Sequence, residues 1–230
     1  MAWMAIPLLC LAAASWASDA QSLLAAVALE AQAPRPLRAD LRIERDGAPP
    51  LEAVLLEDGR RRYLETKAGL RALLSPGKAI IARGGTVVRA EPGTPLDGSD
   101  VLLVDLAPFG SRAVDVPQVS DEGPLGVVIT AAPRPPTPYV LLVYTIDPER
   151  RVIVRTKYYR DTISNLVKMA RLDDFVSVAG RWRPSTMTVE TFRPVARTTR
   201  ITLRWREAPE TPPALFTGAG LRAPSPIGWP

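Results

Sequence analysis

Two stretches of the chain alternate apolar and polar residues along their whole length. In Arg197–Arg206, Thr199, Ile201, Leu203 and Trp205 share one side, while Arg200, Thr202, Arg204 and Arg206 share the other. Earlier in the chain, Leu37, Ala39, Leu41 and Ile43 oppose Arg38, Asp40, Arg42 and Glu44. Successive side chains of a strand point to opposite faces, so each stretch predicts a strand with one apolar and one watered face. Thr186–Phe192 alternates in the same way, and Ile163–Val178 predicts a long strand. Tyr139–Ile146 and Arg151–Tyr159 bracket Asp147-Pro148-Glu149-Arg150, where the proline fixes φ and the aspartate closes the turn. Tyr139 to Arg206 therefore reads as four consecutive antiparallel strands.

The first half is punctuated by Asp46-Gly47, Asp58-Gly59, Pro76-Gly77, Gly84-Gly85 and Pro92-Gly93. Between these turns lie the β-like runs Leu51–Leu56, Arg61–Lys67, Leu70–Ser75, Lys78–Arg83 and Thr86–Glu91, which predicts a meander of hairpins. Two helices are expected. Asp19 caps one that runs to about Ala31 with Leu23, Val27 and Ala31 on one stripe, and Pro34 and Pro36 close it. Ser99 caps a short one, Val101–Leu106, that buries Leu102, Leu103 and Leu106. Asp115–Pro124 reads as loop and Gly126–Ala131 as a strand. Pro133–Pro138 reads as a stiff connector poor in backbone donors. Residues 213–230 read as a proline-rich tail, loosely packed apart from Leu215 and Phe216.

The length of 230 residues suits one large, mainly β domain. Met1–Ala17 is uncharged and apolar and ends in the small-x-small pattern Ser15-Trp16-Ala17, which predicts a signal peptide and a mature domain over 18–230. No Lys or Arg precedes the apolar run, so an uncleaved anchor is the other reading of this segment. The single cysteine, Cys10, lies within it, so the mature chain has no thiol. That suits an oxidising compartment.

Composition also limits the chemistry. Without His or a mature Cys, the usual bases, nucleophiles and soft metal ligands are missing, and no nucleophile elbow or phosphate loop occurs. Asp173 and Asp174 are strand neighbours facing opposite ways, so they do not form a dyad. No enzyme activity, cofactor or metal is expected. The net charge of +5 comes from 29 Lys and Arg against 24 Asp and Glu. The arginines alternate with apolar residues along strands, which reads as a solvated sheet face rather than a nucleic-acid surface. The triplet Arg60-Arg61-Arg62 reads either as a solvated strand end or as a rim that meets head groups or a partner.

The succession YTIDPERRVIVRTKYY, LVKMARLDDFVSVAGRWRPSTMTVET, RTTRITLRW and PPALFT resembles the outer-membrane lipoprotein-sorting, or LolA-like, proteins. The matching positions are Asp147, Tyr158, Tyr159, Gly180, Pro184, Thr199 and Phe216. GSDVLLVDL resembles that family's helical insertion, with Asp105-Leu106 as a common pair. The resemblance implies one curved antiparallel sheet forming an unclosed half-barrel, with helices covering its concave apolar face. It also implies a cavity that receives acyl chains. The inward candidates are then Leu41, Ile43, Leu55, Tyr63, Val152, Val154, Ile201, Leu203 and Trp205, with Leu102, Leu103 and Leu106 from the insertion. In the family's carriers an arginine near an early hairpin holds the empty form shut, and Arg60–Arg62 is the nearest counterpart.

Periodicity alone does not separate a packed core from a ligand cavity. The resemblance implies a monomeric periplasmic carrier of lipoprotein or lipid. It would be loaded by an inner-membrane donor complex, deliver to an outer-membrane acceptor, and touch membranes transiently. An envelope sensor or scaffold of the same fold, binding a protein partner, is the alternative. A membrane-anchored subunit of a lipid transporter is a third reading.

Overall fold

The computed structural model describes residues 8–83 and 86–229, with side chains from Asp19 onward except those of Arg83 and Glu122. A helix, α1 (Leu8–Glu30), leads into six strands: β1 (Ala33–Arg45), β2 (Ala48–Gly59), β3 (Arg61–Thr66), β4 (Arg71–Ser75), β5 (Lys78–Arg83) and β6 (Thr86–Arg89). A crossover follows, containing the one-turn helices Leu103–Leu106 and Ser111–Ala113. Seven more strands complete the sheet: β7 (Val114–Gly123), β8 (Gly126–Pro133), β9 (Leu141–Asp147), β10 (Val152–Tyr159), β11 (Leu166–Val178), β12 (Arg181–Thr191) and β13 (Arg197–Glu207). A second one-turn helix pair follows, Pro213–Phe216 and α2 (Gly218–Arg222).

Among the described residues, thirteen strands form one antiparallel sheet in the order β6-β5-β4-β3-β2-β1-β13-β12-β11-β10-β9-β8-β7, not closed into a barrel. The first and last strands pair at its centre. Ala39 faces Trp205, Leu41 faces Leu203 and Ile43 faces Ile201, so the two most regularly alternating stretches set each other's register and put their apolar sets on one face. The two edges, β6 and β7, are consecutive in sequence. The crossover between them therefore passes over the inner face, where it buries Leu96, Val101, Leu103 and Leu106 against β1–β5 and β11–β13. α1 covers the other wing, with Ala20, Leu24 and Val27 packed on Val114, Ile129 and Tyr144.

Several expectations are corrected. α1 begins at Leu8, so Asp19 lies inside the helix and caps nothing. The expected signal segment Met1–Ala17 lies outside the described residues at 1–7, and Leu8–Ala17 is backbone helix continuous with α1. Among the described residues no helix is long and apolar enough to cross a membrane. Of the expected loop Asp115–Pro124, all but Pro124 belongs to an edge strand, β7, whose register shifts twice against β8; that irregularity hides any period of two. The expected helix Val101–Leu106 shrinks to one turn capped by Asp105, whose carboxylate accepts the Leu102 N–H at 2.8 Å. Ser99 accepts from Val101 at 3.3 Å instead.

The tail is not loose. Leu215, Phe216, Leu221 and Ile227 pack on the outer face against Val54, Leu56 and Tyr63. Beneath them the buried Glu65 carboxylate takes hydrogen bonds from the Tyr63 hydroxyl, Ser225 and the Trp229 indole. β2 and β3 are consequently buried on both faces.

Candidate functional site

β2 and β3 pair Leu55 with Leu64, Leu56 with Tyr63 and Glu57 with Arg62. Cross-strand partners share a face, so Leu55, Leu64, Glu57 and Arg62 point inward while Leu56 and Tyr63 point outward. Tyr63 is therefore removed from the inner lining; both faces of this hairpin are apolar, so alternation could not choose between them. The same register takes Arg62 out of the expected rim. Arg60 and Arg61 remain exposed, with Arg61 3.5 Å from Asp58 and over the Phe216 ring, whereas Arg62 turns into the protein.

Inside, Arg62 does two things. Its guanidinium pairs with the fully buried Glu57 at 2.9 Å, and its Nη1 donates to the Leu106 carbonyl oxygen at 2.7 Å. Glu57 also receives Arg183 of β12 at 2.7 Å. Arg183 in turn donates to the Glu30 carbonyl at 3.0 Å, at the C-terminus of α1, where helix carbonyls lack partners and a cation is favoured. Burial lowers the Arg183 pKa below its ordinary value, with Glu57 opposing the shift. The Glu30 side chain accepts from the Trp182 backbone at 2.7 Å and pairs with Arg181 at 3.0 Å. One chain of charges thus ties the crossover, the first hairpin, β12 and α1 together.

A second tie fastens the crossover from the opposite wing. Lys168 of β11 reaches Asp105 at 2.6 Å, and both are nearly fully buried. The ammonium also lies 4.3 Å from the Tyr158 ring centre and 5.2 Å from that of Tyr139. Burial is the largest single influence and disfavours its charge, but Asp105 and Tyr139 together outweigh it and the Lys168 pKa rises above the ordinary lysine value. Tyr158 and Tyr144 are held protonated well above the usual phenol range, chiefly by burial.

Between these ties lies a cavity of about 230 Å³. It is roofed by Val27 of α1, by Ala31 just after it, and by Leu106, Ala107 and Phe109 of the crossover, and floored by β9–β13. Phe109 stacks edge-on against Tyr144 at 5.5 Å. Of the sequence candidates, Leu55, Leu106, Val152, Leu203 and Trp205 line this space. Leu41, Ile43, Ile201 and Leu103 are instead packed into the core beside it, and Leu102 packs on the α1 cluster. Val154 is displaced by a bulge: the register jumps between Ile153 and Arg155, so Ile153 takes the inward position.

Glu57, Lys168 and Arg183 were missed, though each left a signal. Lys168 stands in step with Ala170 and Leu172, Arg183 with Met187 and Val189, and Glu57 with Ala53 and Leu55. A charge at the inward parity of a strand must find a partner or unfold it.

Residues 88–223, more than half of the chain, match a family model described as an uncharacterized protein. No curated protein matches. Among solved structures, a domain described as an outer membrane lipoprotein-sorting protein from Vibrio parahaemolyticus superposes with a TM-score of 0.76 at 12% identity, covering 90% of this chain and 100% of that one. A LolA superfamily protein from Nitrosomonas europaea gives 0.69 at 15% identity over 88% and 99% of the two chains. A DUF1329 family protein from Desulfovibrio piger gives 0.70 at 14% identity over 90% and 99%. At these identities the likeness is one of fold, and it extends over nearly the whole of each neighbour.

Proposed function

Because this chain belongs to a LolA-like family of uncharacterized proteins, we propose that it carries the acyl chains of a lipid or lipoprotein through the periplasm in the cavity under α1 and the crossover. The observation that carries the reading is the arrangement of that cavity: an apolar chamber whose roof is fastened at polar ends and otherwise rests on greasy contacts.

Moving one acyl CH₂ into water costs about 0.8 kcal/mol, so exposing a chain of about sixteen carbons costs on the order of 12 kcal/mol. A carrier must hide most of that surface and still release it. The cavity of about 230 Å³ is smaller than the roughly 300–1,000 Å³ of ordinary ligand pockets, so the chamber is the shut form and tails enter as the roof lifts. A hydrogen bond to a charged group contributes about 1.5–3 kcal/mol. Breaking the Arg62–Leu106 contact is therefore a small cost against a whole buried chain, and remaking it favours release. Arg62 fills the role that the resemblance assigns to an early-hairpin arginine. An inner-membrane donor would load the carrier and an outer-membrane acceptor would empty it, without catalysis or cofactor.

Native mass spectrometry of protein purified without detergent tests this. Bound lipid, together with saturable uptake of a fluorescent fatty acid, is expected. Lipid-free preparations that take up no fatty acid would sink the carrier and leave the scaffold reading, which a stable protein complex recovered by affinity purification would support.

A further inference from the structure

One end of the sheet is built for contact with a surface. Leu141 pairs with Tyr159, and Tyr159 also pairs with Leu166; Lys168 pairs with Thr191, and Thr191 with Arg197. The connections β8–β9, β10–β11 and β12–β13 therefore emerge side by side, across four strand spacings or about 19 Å. Their tips carry large apolar side chains in water: Val140 is 44% exposed, Ile163 74%, Phe192 38% and Val195 54%. Isolated exposed apolar residues mean little, but four on neighbouring tips form a patch. The opposite end, by contrast, holds the Glu30–Arg181 and Arg183 ties.

The charge on these tips is mostly positive. Residues 134–140, 160–165 and 192–196 contain Arg134, Arg160 and Arg193 against one acid, Asp161. Arg134 is engaged by Asp115, and the nearby Arg197 by Asp100 at 4.0 Å. Arg160 and Arg193 instead line a second cavity of about 160 Å³, together with Ser99, Asp100, Tyr139 and Lys168. Apolar side chains that enter the acyl boundary, ringed by guanidiniums that meet phosphate, are the chemistry of an anionic leaflet.

We propose that this end of the sheet docks on an anionic phospholipid bilayer, with Ile163, Phe192 and Val195 entering the interface and Arg160 and Arg193 holding lipid phosphates. The proposal deepens the carrier reading, on which it rests for its purpose: it names the face that the carrier presents to a membrane. Lys168 joins the two sites, because this lining residue of the second cavity also holds the crossover through Asp105.

Flotation of the full chain with vesicles tests it, since wild type and variants share the same N-terminal segment. The wild type is expected to float with phosphatidylglycerol-containing vesicles and to be released by salt, and at least fivefold less should float with phosphatidylcholine alone. Ile163→Asp combined with Val195→Asp should lower flotation at least fivefold, and Arg160→Glu combined with Arg193→Glu should abolish the preference for anionic lipid. Unchanged flotation of either pair overturns the proposal. So does a wild type that elutes as a dimer which Ile163→Asp dissociates, since the patch then belongs to a second copy. Fatty-acid uptake measured without vesicles should survive the Ile163→Asp and Val195→Asp pair, which shows it folded. Loss of uptake in the wild type would instead overturn the carrier reading and leave the docking result standing.

Discussion

The guanidinium of Arg62 donates to the carbonyl oxygen of Leu106 at 2.7 Å, joining two residues 44 positions apart across the inner face. Arg62 belongs to the first wing of the sheet, and Leu106 ends the helical turn that the other wing holds through Lys168 and Asp105. The roof of the cavity is thus held from both sides.

Replacing Arg62 with Met should loosen one side. The buried Glu57 keeps Arg183, so the loss should fall near the lower end of the range for breaking a buried pair, about 3 kcal/mol by urea unfolding. The same variant should retain more lipid on purification and release fatty acid more slowly, as read by native mass spectrometry and fluorescence. Arg62→Lys should fall between the two, because one ammonium does not reproduce the forked contact.

Lys168→Met should cost more, about 3–5 kcal/mol, because it strands the Asp105 carboxylate away from water. Adding Asp105→Asn removes the stranded charge and keeps an acceptor for the Leu102 N–H. The double variant should therefore unfold at a higher urea concentration than Lys168→Met alone.

Leu172→Trp places a larger side chain in the cavity from its floor. Fatty-acid uptake should fall at least tenfold, with a stability change of about 1–3 kcal/mol from overpacking. Equal uptake would mean that tails lodge elsewhere.

Alkali should destabilise the protein. Tyr63, Tyr139, Tyr144 and Tyr158 all have raised pKa values, chiefly through burial, and Lys168 is raised because Asp105 and Tyr139 together outweigh its burial. A group raised in the folded state adds stability that is complete below its unfolded pKa and is lost as pH rises through the folded one. The unfolded values are about 10 for tyrosine and 10.4 for lysine. Melting temperature should therefore hold up to about pH 9 and fall above pH 10, and ultraviolet titration should show these phenols ionising only on unfolding.

Gly220→Ala tests the tail. A methyl group there would lie 2.5 Å from the Leu215 carbonyl oxygen and 2.6 Å from that of Ala214, both backbone atoms that have little room to yield. The variant should lose about 1–3 kcal/mol and expose the Trp229 indole to fluorescence quenchers.

The sheet was legible because β1 and β13 keep strict alternation with one face in water, and the turn dipeptides separate β2–β6 where chain direction reverses. The LolA-like resemblance supplied the half-barrel, and the fold agrees with it. Legibility failed where both faces are covered or a strand is irregular. β2 is buried without a break from Ala53 to Glu57 and β3 from Tyr63 to Thr66, so nothing in either pattern placed Tyr63, and a bulge exchanged Val154 for Ile153. The charge ties were hidden for a different reason. Glu57 meets Arg183 over 126 positions, and only a register fixed by thirteen strands brings them together.

The central seam also sets a timetable. Leu41 and Leu203 lie 162 positions apart (203 less 41), yet they face one another in mid-sheet. β2–β6 and β7–β12 zip from neighbour to neighbour as they emerge, whereas β1 waits with one flank bare until almost the last residue of the sheet has been made. The middle of the sheet therefore stays open until β13, the last of its strands in sequence, has been made.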